Sequence, residues 1–300
     1  MSKHELSKLQ EAELDIFKEF IRICQENHLR YFICGGSFLG AIRHKGFIPW
    51  DDDIDVAMPR PDFEIFLQIA PRLLPEDLYL STYKLGAEHI TLVAMIINKH
   101  KDFVLNNAAK QVRTGAWVDI LVIDGAPEPG LKRKAFGIVY MYHRMMNQFA
   151  HFDEIVNLNK ARPWYENLAI QFARISKIEK HLDPVRVGER FHKFLQANPY
   201  DTSRYVATFM GAAKMNEILP REIYGEGTDY EFEGLSVKGP DRYNAYLSHF
   251  YGSYMTLPPL NERNRHNVTV NKGGGQELIL VFSSAFHLHT ILLMGGVLNA

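Results

Sequence analysis

Two cysteines, Cys24 and Cys34, are all that this chain of 300 residues carries. Both sit in apolar stretches, so they read as buried thiols of a reducing compartment, and a disulfide framework is excluded. Charge of one sign is missing too: 34 basic residues stand against 35 acidic ones, for a formal net charge of -1. Without a global basic footprint the chain is not expected to bind nucleic acid. The polar start, Met1-Ser2-Lys3-His4-Glu5, has no apolar run of the kind that directs export. Repeats and low-complexity tracts are absent as well. What remains is an ordinary globular composition, 46% apolar and 23% charged, long enough for one large domain or two smaller ones.

Apolar positions at helical spacing (Leu9, Ile16, Phe17, Phe20, Ile21, Cys24) predict an amphipathic helix over about 6–27. A short buried strand at Tyr31–Cys34 stops at a glycine pair, and a helix over Phe38–Arg43 follows, with Ser37 placed to cap it. Asp53–Met58 reads as a strand ended by Pro59 and Pro61, and a helix begins at Asp62. Further strands are expected at Leu78–Tyr83, Thr91–Asn98, Phe103–Leu105 and, most apolar of all, Trp117–Ile123. Asp124, beside Gly125, reads as a turn residue. Beyond the Pro127/Pro129 region the texture is mainly helical, with helices over Leu131–His151, Pro163–Lys180, Asp183–Ala197 and Asp241–Tyr251. A strand-like pair lies around Ile223 and Phe232–Val237. The expected class is therefore α+β: residues 1–126 form a mixed core, 127–270 a mainly helical part, and 271–300 an apolar tail. That tail, without Asp, Glu, Lys or Arg from Leu278 on, is long enough to span a membrane, but its histidines, serines and Gly295-Gly296 favour a packed or loose extension.

The chemistry concentrates early. On a strand, Asp53 and Asp55 share one face, about 7 Å apart at Cα, a separation that suits divalent cations held against phosphate. Crowding Asp51, Asp52, Asp53 and Asp55 is repulsive without a cation; the bland alternative is a solvated acidic turn. A calcium loop is rejected because Val56 stands where glycine is needed and Asp62 where glutamate is needed. Gly35-Gly36-Ser37 offers backbone amides and a hydroxyl at a helix start, a cradle for phosphate. Arg43 and Lys45 are placed to offset phosphate charge, whereas His44 reads as a hydrogen-bonded structural histidine. Asp119 interrupts an apolar strand and needs a partner, either a metal ion or a cation such as Arg113; it also suits a general base. A phosphoryl-transfer enzyme is the reading these residues support.

The run Tyr31-Phe32-Ile33-Cys34-Gly35-Gly36-Ser37-Phe38-Leu39-Gly40-Ala41-Ile42-Arg43-His44-Lys45-Gly46-Phe47-Ile48-Pro49-Trp50-Asp51-Asp52-Asp53-Ile54-Asp55 resembles the LicD family. That family belongs to the nucleotidyltransferase superfamily and is akin to fukutin-related proteins. Trp117-Val118-Asp119-Ile120, Phe232-Glu233-Gly234, Tyr251-Gly252, Leu257-Pro258-Pro259, Arg263 and His266 add to the resemblance. It implies a polymerase-beta-like nucleotidyltransferase core with Asp53, Asp55 and Asp119 as catalytic metal ligands for Mg2+ or Mn2+. Gly36, Ser37, Arg43 and Lys45 are then the nucleotide- and phosphate-binding residues. The implied reaction moves phosphocholine or a polyol phosphate from a CDP-linked donor such as CDP-choline. The acceptor is a hydroxyl of a glycan or lipid-linked glycan of the teichoic acid, lipopolysaccharide or capsule type. A cytoplasmic location at the inner face of the membrane, with peripheral membrane contact, goes with it. The rival readings are nucleotidyl transfer from a nucleoside triphosphate and a catalytically silent glycan-binding relative.

Overall fold

A computed structural model describes residues 6–51, 53–83, 92–100, 103–105, 112–150, 181–259 and 268–270. Expectations that fall on Asp52, Pro163–Lys180, Arg263, His266 and the tail after Asn271 lie outside the described residues, as does the side chain of Arg113. The elements are α1 (Lys8–Glu26), β1 (Phe32–Ile33), α2 (Gly35–Arg43), β2 (Asp55–Pro59), α3 (Arg60–Leu73), β3 (Leu78–Ser81) and β4 (Ala94–Asn98). They continue as β5 (Phe103–Leu105), β6 (Val112–Thr114), β7 (Trp117–Ala126), α4 (Leu131–Ala150), α5 (Pro184–Leu195), β8 (Tyr205–Ala207) and β9 (Leu219–Pro220). The hairpin β10 (Thr228–Phe232) and β11 (Leu235–Gly239), α6 (Tyr243–Tyr251) and β12 (Val268–Val270) complete the order. The protein is α+β.

The mixed sheet is organised by β7, whose ten residues are all buried. Its order is β1-β2-β7-β4-β3, parallel only between β2 and β7. Residues 117–120 of β7 pair with β4, residues 119–123 with β2, and residues 124–126 with β8, which in turn pairs with β9. The strand thus changes neighbours along its length and carries three separate partners. A smaller antiparallel sheet runs β12-β5-β6.

Helix α1 starts with a capping box: Ser7 Oγ accepts from the Gln10 amide at 3.1 Å, and the Ser7 amide donates to Gln10 Oε1 at 3.0 Å. Its apolar face enters the core through Phe17 and Phe20. Phe20 lies 5.2 Å from the Tyr31 ring and 5.3 Å from the Phe66 ring, and Phe17 meets Phe232 of the hairpin at 6.0 Å. Phe232 also touches Phe47 at 5.0 Å, so the loop after α2 is clamped between early and late parts of the chain.

Three expectations are corrected. Helix α2 begins at Gly35, three residues earlier than expected, and Ser37 lies within it rather than capping it; the cap position is Cys34, with no side-chain cap. Ile223 lies in a short 3-10 turn, and the hairpin it was expected to join runs from Thr228 to Gly239. Asp124 is not a turn residue. It is buried inside β7 and bound bidentately by Arg60, Nε to Oδ1 at 2.7 Å and Nη2 to Oδ2 at 2.6 Å. Burial raises the Asp124 carboxyl and the Arg60 guanidinium opposes that rise, leaving it above the usual range. Arg60 also reaches Glu64 and His192 Nδ1, tying α3 to β7 and α5.

Removing one partner of this pair strands a buried charge. Arg60→Met is expected to cost about 3–5 kcal/mol in urea unfolding, and pairing it with Asp124→Leu should recover most of that. A double variant no more stable than the single one contradicts the assignment.

Candidate active site

Strands β2 and β7 run parallel with Asp55 directly opposite Asp119, so the two carboxylates leave the sheet from one face. Asp53 lies two residues before β2 proper, in the lead-in rather than in the strand. One carboxylate oxygen from each of Asp53, Asp55 and Asp119 lies within 4.8 Å of the others. Asp53 and Asp119 are buried, and Asp55 is partly so.

Main-chain hydrogen bonds fix this arrangement from three sides. The Asp119 amide donates to Ile54 O at 3.0 Å and the Cys34 amide to Asp55 O at 3.1 Å. Ser37 is the third tie: its Oγ accepts from the Asp55 amide at 2.9 Å and donates to Asp53 O at 3.3 Å. The hydroxyl expected to meet phosphate is therefore engaged in holding the two aspartates in place. The glycine pair is explained by crowding. Gly35 has φ +56°, and a Cβ there would lie 2.9 Å from Asp55 Oδ2; a Cβ on Gly36 would lie 2.5 Å from Asp51 Oδ2. Carboxylate oxygens thus press on the N-terminus of α2, where the helix dipole favours negative charge. Gln10 Nε2 donates to Asp51 O at 2.8 Å and anchors this loop to α1.

Arg43 and Lys45 lie at the other end of α2, about 12 Å along its axis from Gly35. The chain then folds back. Arg43 sits over the Trp50 ring at 6.0 Å, next in sequence to Asp51, and donates to Tyr254 O at 2.8 Å. Lys45 adopts a left-handed φ of +62°, and its carbonyl accepts from the Glu233 amide. Glu233 Oε1 also accepts from the Phe47 amide at 3.1 Å, and it packs so closely on Gly46 that a Cβ there would collide with it. Phe232-Glu233-Gly234 is thereby the brace of the loop between α2 and the aspartates. His44 accepts a long 3.4 Å hydrogen bond from Arg43 Nε, in keeping with a structural role.

Residues 28–86 match the LicD/FKTN/FKRP nucleotidyltransferase domain, a span that includes the glycine pair, Ser37, Asp53 and Asp55. Over 272 residues the chain is 26% identical to the lipopolysaccharide cholinephosphotransferase LicD of Haemophilus influenzae, covering 89% of this chain and 98% of that protein. The chain is thus similar to LicD proteins over most of its length, with the matched domain confined to residues 28–86. Two uncharacterized relatives, from Rickettsia typhi and Rickettsia prowazekii, are 27% and 28% identical over 53% of this chain. They are matched over 48% and 56% of their own lengths.

The electrostatics of this site are those of packed carboxylates. Asp55 is held well above the usual carboxylate range, first by burial and then by Asp53, Asp119, Asp51 and Glu217. Glu217 was not legible as a site residue. It is a lone acid in a short polar stretch, and only the fold brings it near. It is buried, accepts from Thr208 Oγ1 at 2.7 Å and from the Ala213 amide at 3.0 Å, and is itself raised by burial. The Cys34 thiol is raised by burial and then by Asp55 and Glu217. Tyr246 OH accepts from the Gly35 amide at 3.4 Å, and the Tyr251 phenol is raised by burial and then by Asp51 and Asp55.

These residues fit a hard divalent cation. The donors are all carboxylate oxygens, and Asp55 Oδ1 is buried with no hydrogen-bond partner among the described residues. A carboxyl raised by folding stabilises the fold below its ordinary pKa and loses that contribution as pH climbs toward the raised value. Cation-free protein is therefore expected to melt lower at about pH 8 than at about pH 5. Asp55→Asn should raise the cation-free melting temperature at about pH 8 by about 2–4 °C and abolish the rise that Mn2+ gives the parent protein. A variant that melts lower yet still responds to Mn2+ contradicts this account.

Proposed function

We propose that this chain is a member of the LicD family and, as a transferase of phosphate-containing groups, moves phosphocholine from a CDP-linked donor to a hydroxyl of a lipopolysaccharide-type glycan. The observation that carries the reading is the convergence of Asp53, Asp55 and Asp119 beside the N-terminus of α2. The name of the Haemophilus relative supports phosphocholine as cargo and lipopolysaccharide as acceptor class. The parallel β2/β7 pair with acids in register is in keeping with a polymerase-beta-like core.

In this mechanism Asp53, Asp55 and Asp119 would hold Mg2+ or Mn2+. Such an ion, when bound, polarises phosphoryl oxygens and offsets the charge of the donor pyrophosphate. The first-turn amides of α2, at Gly36 and Ser37, have no partners within the helix and suit phosphate oxygens. Arg43, at the far end of the same helix, and Lys45, just beyond it, supply positive charge. The acceptor oxygen forms a bond to the distal phosphorus as the bond from that phosphorus to the bridging oxygen breaks, and cytidine monophosphate leaves. The hydroxyl proton passes to a carboxylate of the cluster, assigned here to Asp119. Positioning and charge neutralisation supply most of the acceleration. The reaction is assigned to the cytoplasmic face of the membrane; among the described residues no helix is long and apolar enough to cross one.

Asp53→Asn and Asp119→Asn are each expected to lower turnover by about 10³-fold or more with the circular dichroism spectrum unchanged. Chromatography of the products should show cytidine monophosphate. Release of pyrophosphate from a nucleoside triphosphate would move the attack to the proximal phosphorus and contradict the proposal, as would full turnover in either variant.

A further inference from the structure

Helix α4 is apolar on the face it turns away from the core as well as on the face it buries. Inward, Phe136 and Tyr140 join Phe191 and Phe209, and Tyr140 OH donates to Phe209 O at 2.8 Å. Outward come Leu131, 85% exposed, Ile138, 70% exposed, and Tyr142, 53% exposed, with Met141 and Met145 beside them. Positions 131, 138, 142 and 145 are spaced so that they form one stripe along the helix.

The charge on this helix is one-sided. Leu131–Ala150 contains Lys132, Arg133, Lys134 and Arg144 and no Asp or Glu, in a chain whose net charge is -1. Two of the four cations are engaged inward. Arg133 donates to Pro127 O at 2.8 Å, and Arg144 donates to the carbonyls of Phe209 and Gly211. Lys132 and Lys134 stay exposed beside Leu131. The nearest acid in sequence is Glu128, and the adjoining α5 exposes Arg186, Arg190 and Lys193 against Glu189.

We propose that this face of α4 docks on an anionic lipid surface, lying in the interface with its stripe inserted and its lysines against the headgroups. A stripe of Leu, Ile, Met and Tyr flanked by lysines is the composition of an interfacial helix. A second copy of the chain is a poorer occupant, because pairing α4 with itself sets lysines against a helix that holds no acid. The contact is peripheral, since α4 is not apolar enough to span a bilayer. The inference goes beyond the assigned chemistry and does not depend on it.

The test uses the full chain with Ile138→Cys carrying an environment-sensitive nitrobenzoxadiazole label; Cys24 and Cys34 are buried and do not compete. Vesicles of phosphatidylglycerol and phosphatidylcholine in equal parts should shift the emission to the blue and raise it about twofold or more. Adding Lys132→Glu and Lys134→Glu should weaken the apparent affinity several-fold, as should added salt. Emission unchanged by the vesicles overturns the proposal, even if the chain sediments with them through its apolar tail. Emission already blue-shifted without lipid also overturns it, because the stripe would then be covered in the free protein. Equal response to vesicles of pure phosphatidylcholine overturns the anionic part of the claim.

Discussion

Carboxylates repel, and burying several of them side by side compounds the cost of stripping each of water. One oxygen from each of Asp53, Asp55 and Asp119 nevertheless falls within 4.8 Å of the others, with Glu217 close enough to raise Asp55 further. A fold accepts such an arrangement only where the scaffold is rigid and something positive completes it. Most of the local design follows from that constraint.

Main-chain ties build much of the scaffold. Two strands in parallel register set Asp55 against Asp119, and Ser37 clamps the lead-in that carries Asp53. The glycine pair lets the helix dipole of α2 meet acidic oxygens at close range. Gln10 and Glu233, from opposite ends of the chain, brace the loop between α2 and the aspartates. By contrast, Asp124, on the same strand as Asp119, is neutralised internally by Arg60. Two acids of one buried strand thus have different settings: Asp124 is bound by Arg60, and Asp119 joins a cluster of carboxylates suited to a cation.

Much of this was readable in advance. The helical period of α1, the apolar run of β7, the acidic cluster around Asp53 and Asp55, and the charge of Asp119 within an apolar run are all local signals, although Asp53 precedes β2 and strand alternation does not govern it. What could not be read is non-local. That Asp119 stands opposite Asp55 depends on a parallel pairing across several intervening elements, which no spacing reports. The burial argument that singled out Asp119 applied equally to Asp124, but the neighbouring Gly125 suggested a turn and Arg60 gave no sign of being its partner. Ser37 looked like a cap because serine before an apolar run usually is one, whereas here Cys34 takes that place. Strands β8 and β9 are too short to show a period and exist because the far end of β7 needs partners. Glu217 carries no local mark; the turn that follows Thr208 folds it back onto Thr208 Oγ1 and the Ala213 amide.

The most direct test of the central claim is anomalous diffraction from crystals soaked in manganese. The account predicts a peak within about 2.0–2.3 Å of one oxygen each from Asp53, Asp55 and Asp119, by analogy with hard divalent cations on carboxylates. No peak at that position, or a peak held by other residues with these three pointing away, would contradict it.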